Sequence, residues 1–88
     1  MNLVQGQLVR SRAGRDKTRT FAVMAVEGQM LFLADGSLRS LNKPKRKKRK
    51  HVAPIATVLP ADCLQDDQKL RQAIADYDAV SPATLMRR

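Results

Sequence analysis

The apolar residues of the first 41 positions come in short runs, none as long as an ordinary helix, and each run ends at a turn signal. Such a chain is restricted to short strands joined by tight connections. Residues 7–12 form the first expected strand, in which Leu8 beside Val9 makes the alternation of apolar and polar residues imperfect. Residues 13–18 are a polar loop in which Gly14 supplies the positive φ that tight loops need. Residues 20–26 are almost entirely apolar, so both faces of this second strand are expected to be covered, with Phe21, Val23 and Ala25 sharing one face. Glu27-Gly28 makes a short turn into a third strand at 29–34, which must be antiparallel because two residues cannot form a crossover. Asp35-Gly36 is a two-residue hairpin signal, which predicts a fourth strand over 37–41, with Leu38 near Leu33. A last strand is expected within 52–59, after Pro54. A meander flanked by a first and a fifth strand closes into a small barrel.

The later part changes period. Leu70, Ala73, Ile74 and Tyr77 recur at helical spacing, which predicts an amphipathic helix over 66–77 with Leu64 in the turn before it. Asp66 or Asp67 suits its N-cap and the positive end of its dipole. The expected fold is therefore mainly β, a five-stranded antiparallel barrel at 1–59 that includes a flexible basic loop at 42–51. A C-terminal helical segment at 60–80 packs on it, and a loose tail occupies 81–88. At 88 residues the chain suits one small domain.

Charge is unevenly shared. The net charge of +9 arises wholly in residues 1–51, where 13 Lys/Arg stand against Asp16, Glu27 and Asp35 for a net of +10. Residues 52–88 hold four Lys/Arg against five Asp, a net of −1. A field of this kind attracts polyanions, and the two candidates are nucleic acid and anionic membrane. Seven of the eight positions 43–50 are Lys or Arg. Charges this dense repel one another, so the run is expected to be extended or mobile without a polyanion, and Pro44 disfavours both ladder and helix at its start. The run has no apolar face, which excludes an amphipathic membrane helix.

Other chemistries have little support. Cys63 is the single Cys and His51 the single His, too few for a zinc site or an internal disulfide. Asp66-Asp67 and Asp76 with Asp78 are accounted for by the helix, so no metal and no cofactor is expected. No nucleophile–base pairing and no phosphate-binding glycine spacing is present, and the reading is non-enzymatic. The N-terminal residues lack the regions of a signal peptide and no apolar run approaches membrane-spanning length. The expectation is a cytoplasmic monomer without stable membrane association. Phe21, Phe32 and Tyr77 are the only aromatics. All three are expected to pack in an otherwise aliphatic core, with base stacking as the alternative for Phe21 and Phe32. His51 is expected to be exposed and Cys63 to be buried or half-buried.

Residues 6–17, followed by the apolar strand from Phe21 to Val26, resemble a KOW motif: a Gly, a strand, a glycine-bearing basic loop, then a second apolar strand. More closely, residues 9–17, 33–39 and 43–51 are similar to bacterial KOW-domain RNA-binding proteins related to a large-subunit ribosomal protein family of archaea and eukaryotes. Residues 70–74 are similar to that family's short C-terminal helix. The resemblance covers most of 6–51 and weakly 66–77. It implies an SH3-like five-stranded barrel and binding to RNA, in particular ribosomal RNA, through the loop between the first two strands. Thr18 stands where KOW proteins usually carry a second Gly.

The candidate RNA-binding residues are therefore Arg10, Arg12, Arg15, Lys17 and Arg19 of the loop, Arg39, and Lys43, Lys45, Arg46, Lys47, Lys48, Arg49 and Lys50 of the run. Arg10 and Arg12 share one strand face by alternation. Arginine grips phosphate with paired hydrogen bonds and stacks on bases. The competing reading is a solvated charged surface. Gly14 and Asp16 are expected to shape the loop, Asp16 by accepting backbone N–H bonds. The predicted partner is RNA, the ribosome or ribosomal proteins. The alternatives are a protein-interaction module docking through the helix and a peripheral binder of anionic membrane.

Overall fold

The computed structural model describes residues 2–80; the tail predicted at 81–88 lies outside the described residues. The elements are β1 (Gln7–Ser11), β2 (Thr20–Glu27), β3 (Met30–Ala34), β4 (Lys45–Lys48), β5 (Val52–Val58) and one helix, α1 (Asp67–Val80). The strands form a single antiparallel sheet in the order β4-β3-β2-β1-β5. Its two edge strands are consecutive in the chain, joined only by a 3-10 turn at Arg49–His51. The edges of a flat five-stranded sheet would stand about 19 Å apart. The chain from Lys48 to Val52 reaches at most about 15 Å. The sheet therefore curls on itself, and the architecture is that of a small SH3-like barrel with a C-terminal helix.

The barrel has two apolar layers. Val9, Phe21, Val23, Leu31, Leu33 and Val52 fill its interior. Leu8, Ala22 and Ala34 lie on the opposite face, beneath Leu70 and Ile74 of α1, with Leu64 and Tyr77 packed alongside. This is why β2 is apolar at each of positions 21–23: the interior takes Phe21 and Val23 while the helix takes Ala22. Asp66 caps α1 by accepting the Lys69 N–H at 3.1 Å, as an N-cap side chain does. Asp67 instead accepts the Leu41 N–H at 2.7 Å.

Four expectations are corrected. First, 37–41 is not a strand. Asp35 accepts the N–H groups of Ser37 and Arg39, both at 2.9 Å, and folds the segment into a compact loop. Gly36, at φ +77°, lies so close to α1 that a Cβ would collide with the Asp67 carbonyl oxygen. The Asp35-Gly36 pair thus serves a helix-docking loop rather than a hairpin turn.

Second, the basic run is not a flexible loop. β4 pairs with β3 in the register Leu33 with Lys45, Phe32 with Arg46, Leu31 with Lys47 and Met30 with Lys48. Lysine-rich edge strands are a common means of blocking further strand addition, and the backbone ladder is available to any side chain except proline. Pro44 lies just before the ladder, where it removes no bond from it.

Third, β5 begins at Val52, ahead of Pro54, which pairs with Val9 near a register shift in this edge strand. Fourth, β2 carries a bulge: Val23 pairs with Leu33 but Ala25 with Phe32, leaving Met24 as the additional residue. The alternation slips by one, so Ala25 is exposed rather than facing inward with Phe21 and Val23. Separately, β3 turns Leu31 and Leu33 inward, so Phe32 is half-buried on the outer face rather than in the core.

Candidate nucleic-acid interface

The loop between β1 and β2 is built around one carboxylate. Gly14 at φ +84° and Thr18 at φ +75° turn the chain through the left-handed region. Thr18 thus takes, without being glycine, the conformation that glycine adopts at least cost. Ser11 and Arg19 close the base of the loop, the Ser11 N–H donating to the Arg19 carbonyl at 2.9 Å and the Thr18 N–H to the Ser11 carbonyl at 2.8 Å. Inside the loop, Asp16 accepts the Ser11 hydroxyl at 2.8 Å.

Two lysines of β4 complete this arrangement. Lys47 Nζ lies 3.0 Å from one Asp16 oxygen and Lys45 Nζ 2.5 Å from the other. Lys47 also donates to the Ala13 carbonyl at 2.9 Å. The Asp16 side chain is 11% exposed and that of Lys47 8%, so the cluster is largely removed from water. Burial by itself would raise the Asp16 pKa. Hydrogen bonds from Lys45, Ser11 and Lys47 outweigh it and hold the carboxyl well below the usual carboxylate range. Asp16 does brace the loop, but through side chains rather than the expected backbone N–H groups.

The predicted site residues divide into two sets. Arg10 does not share an open face with Arg12. It lies under the C-terminal part of α1, donating to Thr20 Oγ1 at 3.1 Å and to Asp78 at 3.3 Å, while Thr20 donates to Asp78 at 2.8 Å. Arg19 pairs with the buried Asp35 at 3.1 Å. With Lys45 and Lys47 on Asp16, these four cations are held by carboxylates of the scaffold. Arg12, Arg15, Lys17, Arg39, Lys43, Arg46, Lys48 and Lys50 are exposed. Arg49 is half-buried in the turn after β4, its N–H donating to the Gln29 carbonyl at 2.9 Å. His51, expected in the open, is half-buried, as is Cys63.

Strand alternation sorts the run. Residues directly opposed in an antiparallel pair share a face. Lys45 and Lys47 oppose the interior residues Leu33 and Leu31, whereas Arg46 and Lys48 oppose Phe32 and Met30 on the outside. The Arg46 guanidinium stands 5.9 Å from the centre of the Phe32 ring, within cation–π range. The loop tip adjoins this strand, because Asp16 and Ala13 are bonded to it and the Arg12 N–H donates to the His51 carbonyl at 2.8 Å. Exposed cations of 12–17 and 43–50 thus lie along one side of the barrel, while exposed Asp62, Asp66 and Asp76 belong to the helical segment.

Sequence reasoning did not anticipate Phe32 beside Arg46, or the Arg10–Thr20–Asp78 cluster. The first follows from alternation in β3 only once the basic run is known to pair with it. The second joins residues 68 positions apart, with no local signal. Among the described residues no group of three or more His, Cys, Asp or Glu is placed to hold a metal ion, and no helix is long and apolar enough to cross a membrane. Compared with protein-family models and with curated proteins, the chain matches none.

Proposed function

We propose that this protein is a non-catalytic RNA-binding module of the KOW kind that works in the cytoplasm and binds ribosomal RNA or the ribosome. The observation that carries the reading is the sorting of the basic run by a paired strand. It places Arg46 and Lys48 outward beside Phe32, next to a loop whose exposed tip offers Arg12, Arg15 and Lys17 in a shape set by Asp16. Phosphates of a folded RNA meet a fixed array of cations, which loses less conformational freedom on binding than a mobile tail. Arg46 over Phe32 adds a surface on which a base can stack. A bilayer offers neither bases to stack nor a shaped phosphate array, which favours RNA over anionic lipid.

The test is binding of the full chain to a ribosomal RNA fragment across a salt series. Replacing Arg46 and Lys48 together with Ala is expected to flatten the logarithmic salt slope by about 1.4 to 1.8, the equivalent of two phosphates. Both side chains face solvent, so the circular dichroism spectrum is expected to be unchanged. Binding to anionic vesicles but not to RNA would overturn the proposal. So would capture of ribosomal components that persists after nuclease treatment and survives this double substitution.

A further inference from the structure

We propose that a groove beside the basic strand receives one unpaired nucleotide of the RNA. The inference rests on the RNA-binding reading above and narrows it to RNA elements that expose a base at this position. The groove, about 290 Å³ in volume, is lined by Asp16, Arg19, Phe21, Leu38, Arg39 and Lys45. It lies where the 35–41 loop faces the loop between β1 and β2.

Its lining has an apolar part and a charged part. Leu38 is 71% exposed, yet its loop is not free to move it: Asp35 and α1 hold the backbone on either side of it. A leucine fixed in solvent, with the buried Phe21 behind the same groove, offers an apolar wall to a flat ring. The charged part is a net surplus. Arg19 is neutralised by Asp35. Within the lining, Lys45 is offset by Asp16. The Arg39 guanidinium has no ion pair or hydrogen bond among the described residues and supplies the surplus.

An apolar wall beside an uncompensated positive charge matches a nucleobase and an adjoining phosphate. The neighbouring groove between the same loops and α1 has a similar volume, about 290 Å³, but its Arg19 and Arg71 are opposed by Asp35 and Asp78. It has no surplus for phosphate. A base inside a regular duplex cannot present its face, whereas a bulged or looped base can.

The experiment compares the full chain on a blunt RNA duplex and on the same duplex interrupted by a short unpaired bulge. Leu38→Ala is expected to weaken binding to the bulged RNA by about five- to tenfold, with the blunt duplex and both salt slopes unchanged. Arg39→Gln is expected to lower the slope on the bulged RNA by about one unit. Leu38 is mostly exposed, so its loss does not threaten the fold, which circular dichroism verifies. An equal effect of Leu38→Ala on the two RNAs, or no effect on either, overturns the groove while leaving the RNA reading intact. If the unaltered protein binds neither RNA, the RNA reading itself falls and the groove proposal falls with it.

Discussion

The two faces of β4 carry the same kinds of side chain and have opposite fates. Lys45 and Lys47 turn inward, meet Asp16 and lose most of their contact with water. Arg46 and Lys48 turn outward and stay hydrated beside Phe32 and Met30. A cation already held by a buried carboxylate has little left to offer a phosphate, and removing its partner leaves an unpaired charge in a poorly solvated place. An outward cation costs little to remove and is available to a polyanion. The number of basic residues in a run therefore overstates its binding capacity, and strand alternation says by how much.

The largest effect should come from breaking the inward side. Asp16→Ala strands Lys45 and Lys47 and frees the loop. It is expected to cost about 3 kcal/mol of stability, read as a lower urea midpoint with an unchanged slope. A loss below about 0.5 kcal/mol would mean that the cluster is not what holds the loop.

Acid probes the same cluster without mutation. The Asp16 pKa is depressed in the folded state, so its stabilisation is complete above the unfolded-state value near 3.9 and is lost as pH falls below that value towards the lower folded one. Asp16→Asn should remove part of the decline in stability below about pH 4. Parallel acid curves for the two proteins would assign the decline to other carboxylates.

The outward side should behave in the reverse way. Replacing Arg46 and Lys48 with Ala is expected to change stability by less than about 0.5 kcal/mol while lowering RNA affinity, by about 1 to 2 kcal/mol at low salt. Chemical denaturation and an RNA titration on the same preparation separate the two effects. A large loss of stability would erase the distinction between the faces.

The smallest effect concerns the loop itself. Thr18 holds a left-handed φ that costs a β-branched residue about 1 to 2 kcal/mol. Glycine would relieve that strain but lose more freedom on folding. Thr18→Gly is therefore expected to stabilise by about 0.5 to 1 kcal/mol, seen as a slightly higher melting temperature, with RNA binding little changed. Destabilisation would show that the threonine side chain contributes contacts of its own.

Where local pattern and global packing agree, the elements were legible in the sequence. β1, β2, β3 and α1 follow their hydrophobic periods to within a few residues at each end, and Asp66 caps the helix as its position suggests. The loop between β1 and β2 was also legible, including the need for Gly14 and the bracing role of Asp16. Two failures have different causes. Asp35-Gly36 satisfies a hairpin rule, but its loop is claimed by α1, a contact from far along the chain. Phe32 was assigned to the core because aromatics are scarce and bury much area, but alternation in β3 turns Leu31 and Leu33 inward and Phe32 outward.

The amino-acid sequence by itself determined that this is a small, mainly β protein with one C-terminal helix, an aliphatic core and all of its surplus charge in one region. These properties follow from composition and short-range periodicity, which act through burial and backbone geometry residue by residue. Only the tertiary structure decided that residues 45–48 are a strand. Like-charge repulsion argues for an open chain there, and the local sequence contains nothing to oppose it. The opposition comes from the unpaired edge of β3 and from Asp16, some thirty residues earlier, whose carboxylate bridges the two inward lysines and offsets half of their charge. A ladder with a distant strand and one buried carboxylate together turn a repelling run into an ordered surface.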